Sequence, residues 1–295
     1  MTHKTPHPDH DRGLEFDLTT LSRRRTLGLF FGAGTMAALA ACTPSGTTNG
    51  STTTAATSPP AAAPASGTAS PGAATPSSTI TRAIAECGAE MPDETAGPFP
   101  GDGSNGPNVL EASGVVRSDI KSSFNGSTTT AEGVPLKFTL TLLDNANGCK
   151  ALAGAAVYVW HCDREGRYSI YDSGLEGENF LRGVQEADAN GQMTFTTVFP
   201  GAYNGRWPHI HFEVFESMSN ATNAGQILKV SQIALTEAAC TDAYAAPGYE
   251  TSRQNFPNTT LATDNVFGDD GAIYQLATMS GSAAEGYTAS LNVTI

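Results

Sequence analysis

Two histidines stand one residue apart in Trp207-Pro208-His209-Ile210-His211-Phe212. On a β-strand, residues i and i+2 point to the same face, so these two imidazoles converge. Two protonated imidazoles so close would repel. A shared metal ion removes that cost by keeping both neutral. The apolar neighbours argue against two unrelated solvated histidines. His209 and His211 are therefore candidate metal ligands.

Two imidazoles do not complete a site. Glu216, five residues after His211, offers a carboxylate of the kind zinc or iron(II) takes, at a spacing that also occurs in cupins. The glycines of a cupin motif are absent, and on a regular strand Glu216 faces away from both histidines. Two tyrosines serve better. Tyr203 ends the turn Pro200-Gly201-Ala202-Tyr203 just before the histidine strand, and Tyr168 closes Gly166-Arg167-Tyr168. A phenol has a pKa of about 10, so phenolate is scarce at neutral pH. A hard, trivalent cation stabilises the phenolate directly. Two phenolates, two imidazoles and a hydroxide would leave iron(III) neutral, which suits a partly buried place. His161 is a further histidine near these segments; its position beside Trp160 fits packing or hydrogen bonding.

The elements that must position these residues read as β. Short apolar or alternating stretches recur between Gly, Pro, Asn and Asp clusters. Strands are expected near 109–117, 134–143, 155–161, 193–199, 207–216, 227–235, 272–278 and 286–295. No helical period is sustained. Residues 236–271 read as a long loop region with a short helix at 236–245. The pattern predicts an all-β domain, a β-sandwich.

Upstream of that domain the composition changes. Ser22-Arg23-Arg24-Arg25-Thr26-Leu27 precedes an apolar run from Leu27 to Ala41, the layout of a signal peptide and too short to span a bilayer comfortably. The paired arginines resemble the twin-arginine export signal. Leu39-Ala40-Ala41-Cys42 resembles a bacterial lipobox, with Cys42 as the lipidated residue. Residues 43–80 are almost entirely Thr, Ser, Ala, Pro and Gly, and cannot bury a core. The expected organisation is thus a signal peptide over 1–42, a flexible linker over 43–80 and a β-sandwich over 81–295. Such a chain would be exported and lipid-anchored at the outer face of the cytoplasmic membrane, or secreted.

The formal net charge of −13 does not come from the signal segment, whose acids and bases nearly cancel. A domain this acidic is a poor nucleic-acid partner and is repelled by anionic lipid. Any membrane contact is expected only through the anchor. Cys87, Cys149, Cys162 and Cys240 suggest disulfides in an exported domain, with three possible pairings. No CxxC pair is present, so a cysteine zinc site is not expected.

Several blocks together resemble the intradiol ring-cleavage dioxygenases. They are Glu94-Thr95-Ala96-Gly97-Pro98-Phe99, Val116-Arg117-Ser118-Asp119-Ile120, Tyr158-Val159-Trp160-His161-Cys162-Asp163 with Gly166-Arg167-Tyr168, Phe180-Leu181-Arg182-Gly183-Val184-Gln185, Phe199-Pro200-Gly201-Ala202-Tyr203, Arg206-Trp207-Pro208-His209-Ile210-His211-Phe212 and Asp264-Asn265-Val266-Phe267-Gly268-Asp269. The resemblance implies non-haem iron(III) held by Tyr168, Tyr203, His209 and His211. It implies a catechol-type substrate opened by dioxygen between its hydroxyl-bearing carbons, giving a cis,cis-muconate-type diacid. In it Tyr168 stays on iron, Tyr203 leaves when substrate binds, and Arg206 stabilises charge developing on the ring. Gln232 resembles a glutamine that the family places behind its ligands. Phe99 departs from the pattern, because many relatives carry a tyrosine there. Two rival functions are a non-catalytic β-sandwich binding module and a cupin-like enzyme using His209, His211 and Glu216.

Overall fold

The computed structural model describes residues 89–223 and 225–295. The segments read as signal peptide and linker, with Cys42 and Cys87, lie outside the described residues.

Two sheets carry the domain. The first has five strands: β1 (Pro135–Asp144), β2 (Lys150–Ala151), β5 (Gln192–Val198), β8 (Thr278–Ser282) and β9 (Gly286–Thr294). β1 lies at its centre, antiparallel to β2 and β5 on one side and parallel to β9 on the other. The second sheet is antiparallel in the order β4 (Arg182–Glu186), β3 (Ala156–Trp160), β6 (His209–Phe215), β7 (Ile227–Ala234).

The main core fills the space between the sheets. Leu136, Phe138, Leu140 and Leu142 of β1 alternate inward, as do Met193 and Phe195 of β5. Val157, Val159, Ile210, Phe212 and Val214 meet them from the second sheet. Burial of each large apolar side chain contributes roughly 1.5–3 kcal/mol. The alternation that predicted β1 and β5 is this one-sided burial.

β3 and β6 are buried on both faces. Their second face carries Tyr158, Trp160, His209, His211 and Glu213. Loops cover it, contributing Ala96, Val109, Leu110, Val115 and Tyr168 to a second apolar cluster. Register makes this face. Trp160 lies opposite both His211 and Arg182, and His211 lies opposite Gln232. The exposed edge of β7 is covered as well: Glu94 N–H donates to Val230, and Ala277 N–H to Ala234.

Several sequence expectations need correction. Residues 109–117 form turns, not a strand; Ala112 N–H returns to the Val109 carbonyl and Val115 N–H to Ala112. Val109, Leu110 and Val115 pack as a cover over the second sheet, Val116 is exposed, and pairing is limited to an isolated parallel bridge of Val116 with Val184 of β4, so the apolar content reflects burial more than a strand. β4 was not expected, because Arg-Gly-Val-Gln-Glu shows no apolar alternation. Residues 272–277 are mostly turn, and β8 begins at Thr278. The expected helix near 236–245 is α2 (Glu237–Ala243), but α1 (Met218–Thr222) and α3 (Glu250–Asn255) are too short and polar to leave a periodic signal. Cys149 is disulfide-bonded. Cys162 and Cys240 are free and buried, so the four cysteines do not form two bridges. Both pack as small apolar side chains. Among the described residues no helix is long and apolar enough to cross a membrane.

Candidate metal centre

The two histidines sit at the start of β6, side by side on its second face. His209 Nε2 and His211 Nε2 are 3.0 Å apart. His209 Nδ1 is 2.6 Å from the Trp207 carbonyl and donates to it. That donation fixes the tautomer and leaves Nε2 as a lone-pair donor. His211 is oriented differently, by the Trp160 ring stacked on it at 4.8 Å and 4°. Its Nδ1 is buried without a hydrogen-bond partner.

Tyr168 reaches the same point from the turn after β3. Asp163 builds that turn: its Oδ1 accepts the Glu165 and Arg167 N–H groups, and its Oδ2 takes the Arg167 guanidinium. Tyr203 arrives from the turn after β5. The two turns are docked on each other through glycines. A Cβ on Gly201 would stand 2.6 Å from the Asp163 carbonyl oxygen, and one on Gly166 would stand 3.1 Å from Tyr203 Cβ. Only glycine permits this approach.

The two phenol oxygens are 3.5 Å apart, and Tyr203 Oη is 3.1 Å from His209 Nε2. Four donor atoms thus succeed one another at 3.0–3.5 Å. A metal–nitrogen bond of about 2 Å sets neighbouring donors roughly 3 Å apart, so the set fits one ion. Among the described residues, no group of three or more His, Cys, Asp and Glu side chains is placed to hold a metal. Glu216 is exposed while both histidines are buried, so it does not join them.

Electrostatics favours a hard ion. Burial, then Arg206, lowers His209 to about 3. Burial, then His209 and Arg206, puts His211 well below its ordinary value. Both imidazoles are therefore neutral and ready to ligate. Burial pushes Tyr203 up to about 12, against the pull of Arg206. Burial, then Tyr203, raises Tyr168 well above the usual phenol range. Two such phenols ionise only beside a concentrated positive charge, as iron(III) provides. Tyr168 is buried and Tyr203 is half-buried, so Tyr203 has the freer path to solvent.

Arg206 closes the turn from Tyr203, with its N–H returning to the Tyr203 carbonyl. Its Nε donates to Asp264 Oδ2 at 2.9 Å and its Nη2 to Gln232 Oε1 at 2.6 Å. Gln232 in turn donates to the Thr95 carbonyl at 2.9 Å, tying the loop that carries Phe99. The Phe99 ring packs 5.0 Å from that of Tyr168. Burial would lower Arg206, but Tyr203 and Asp264 outweigh it and hold the guanidinium charged.

All six predicted site residues in the domain therefore meet. His161 does not ligate: its ring nitrogens are taken by the Cys162 carbonyl and Thr197 Oγ1, each at 2.8 Å. Three contributors were missed. Arg182 is fully buried and spends its donors on Phe99, Pro100, Ser169 and Tyr158, fixing the Phe99 loop beside the residue following Tyr168. The stretch 236–271, expected as loop, holds the Tyr203 turn: Tyr244 donates to Pro200, Tyr249 to Phe199, and Asn255 to Ala202. Asp264 anchors Arg206. The block Asp264–Asp269 was visible in the resemblance, but nothing in its spacing tied it to Arg206.

A family model described as Dioxygenase matches residues 105–223. The fold is similar to that of an intradiol ring-cleavage dioxygenase from Tetranychus urticae, at 25% identity and a TM-score of 0.55. That match covers 70% of this chain and 94% of the other. A catechol 1,2-dioxygenase from Pseudomonas arvilla C-1 also matches, at 19% identity and a TM-score of 0.40, over 69% of this chain and 61% of its own. No curated protein matches the sequence.

Proposed function

We propose that this chain, which carries the fold and the family signature of the intradiol ring-cleavage dioxygenases, is an iron(III)-dependent dioxygenase of a catechol-type substrate. Its product would be a cis,cis-muconate-type diacid holding both atoms of dioxygen. The observation that carries the reading is the convergence of Tyr168, Tyr203, His209 and His211 at hydrogen-bond spacing beside Arg206.

Iron(III), when bound, supplies the Lewis acidity that favours the catechol dianion and makes its ring reactive toward dioxygen. The chain's residues do the rest. His209 and His211 are held neutral, with His209 set in one tautomer by Trp207. Tyr168, buried in its turn, stays in place. Tyr203, the half-buried side chain, would be held as phenolate by a bound iron(III); as it gives way its Oη takes one substrate hydroxyl proton, and a bound hydroxide would take the other. Arg206 faces the negative charge that gathers on the ring and stabilises it. Phe99 forms an apolar wall against Tyr168 and helps exclude water.

The test is dioxygen uptake by iron-loaded protein against a panel of catechols, with product identified by mass and ultraviolet spectrum. Tyrosinate-to-iron charge transfer predicts a wine-red protein. A colourless, fully active zinc protein would refute the reading, and iron-free purified protein would favour a binding module.

The activity is further proposed to operate outside the cytoplasmic membrane. Support comes from the sequence alone: the paired arginines, and Cys42 followed by an uncharged tether of about 38 residues. Fractionation of cells expressing wild type and Cys42→Ala tests it. Wild type should sediment with membranes, and the variant should be released.

A further inference from the structure

We infer that Asp264 is a positioning residue for Arg206: its buried carboxylate fixes the guanidinium beside the four donor side chains. The role rests on the proposed dioxygenase reading, but the geometry behind it stands alone.

Asp264 is 2% exposed and accepts four hydrogen bonds. Oδ2 takes Arg206 Nε at 2.9 Å and Trp207 N–H at 2.6 Å. Oδ1 takes Val266 N–H at 2.8 Å and Phe267 N–H at 3.0 Å. The two backbone groups on Oδ1 fold the turn after Asp264 around its own side chain, so the carboxylate cannot swing. The two groups on Oδ2 come from adjacent residues, so side chain and main chain of the Arg206-Trp207 step are gripped together. Burial would raise the Asp264 carboxyl, but Arg206 and the backbone donors outweigh it and keep it ionised.

The consequence for Arg206 follows from its donor count. A guanidinium has five N–H groups in a rigid fork. Nε is spent on Asp264 and one Nη2 hydrogen on Gln232, which sets the plane from two sides. The remaining N–H groups are left for a substrate. Phe267, also held by Asp264, lies with its ring centroid 5.9 Å from the guanidinium carbon. Asp264 hydrogen-bonds none of Tyr168, Tyr203, His209 or His211; its carboxylate acts on Tyr203 and His209 only through space, and its direct grip is on Arg206 and the Trp207 N–H.

Two readouts test this. In metal-free protein, solvent exchange of the Arg206 Nε–H is followed by nuclear magnetic resonance, assigned with Arg206→Lys. Exchange should be slow in wild type and at least about tenfold faster in Asp264→Asn. Exchange unchanged in Asp264→Asn overturns the assignment, whether or not the chain proves to be a dioxygenase. In iron-loaded protein, Asp264→Asn should keep wild-type iron content and anaerobic catechol affinity while kcat falls roughly 100-fold. In an Arg206→Met background the same substitution should lower kcat no further. A further loss there, or loss of iron with unchanged Arg206 exchange, makes Asp264 merely structural. Should Asp264→Asn not fold, Asp264→Glu displaces the carboxylate by one methylene. Faster Nε–H exchange in that variant supports the role, and wild-type exchange with wild-type kcat overturns it.

Discussion

Tyr249 donates its hydroxyl to the Phe199 carbonyl at 2.7 Å and accepts the Val134 N–H at 3.0 Å. One side chain after α2 thus holds both the start of the Tyr203 turn and the entry to β1. Tyr249→Phe leaves a buried carbonyl and a buried N–H unpaired. The expected loss is about 1–3 kcal/mol of stability, read as a lower thermal midpoint, with weakened iron retention because the Tyr203 turn loosens. A variant with wild-type melting and wild-type iron content would show that the turn holds itself.

Metal loading should release protons in a definite number. The imidazoles are already neutral, since burial lowers His209 to about 3 and His211 further below its usual value. Both phenols are protonated, since burial raises Tyr203 to about 12 and Tyr168 above its usual range. Binding of iron(III) near neutral pH should therefore free about two protons from the phenols and about one more from the water that becomes the bound hydroxide, and affinity should rise with pH. Tyr203→Phe should reduce the total by about one, measured by titration in weak buffer. Tyr168→Phe should bleach much of the visible band and sharply reduce turnover.

His161 should make the metal-free domain acid-sensitive. Burial, against the bond to the Cys162 carbonyl, lowers it to about 4 from an ordinary value near 6.5. The unfolded chain therefore binds this proton more readily. Stability is full above about pH 6.5 and falls as pH drops toward 4, by roughly 3 kcal/mol from this group. His161→Gln should flatten that slope in denaturant titrations across the window, whatever its effect at neutral pH. An unchanged slope would assign the acid sensitivity to other groups.

Phe99 should set substrate preference. Its ring packs against Tyr168 and Tyr171, and its carbonyl is held by buried Arg182. Phe99→Tyr adds a hydroxyl to an apolar wall without moving the loop. Relative kcat/KM should shift several-fold toward catechols with a polar ring substituent, because each new hydrogen bond contributes about 0.5–1.5 kcal/mol. An unchanged ranking across the panel would place the selective contacts elsewhere. Glu216→Ala, at an exposed position, should leave iron content and turnover unaltered.

The pairing of His209 with His211 was legible in the sequence, because a two-residue repeat on a strand is a local property of the backbone. So were β1, β5, β6 and β9, whose alternation or apolar runs record burial. Tyr168 and Tyr203 could be named as candidate ligands from their turns and from the resemblance. Their meeting could not be read, because it depends on Gly166 and Gly201 docking two distant turns. Residues 109–117 misled, and the role of 236–271 went unread, for one reason. Apolar content says that a segment is buried, and polar content that it is not a regular strand, but neither says what the segment packs on. Only the tertiary structure put Tyr249 and Asn255 behind the Tyr203 turn and the Asp264 carboxylate on Arg206. These contacts join residues 50–58 positions apart. No local pattern encodes them; the packing of the whole domain selects them.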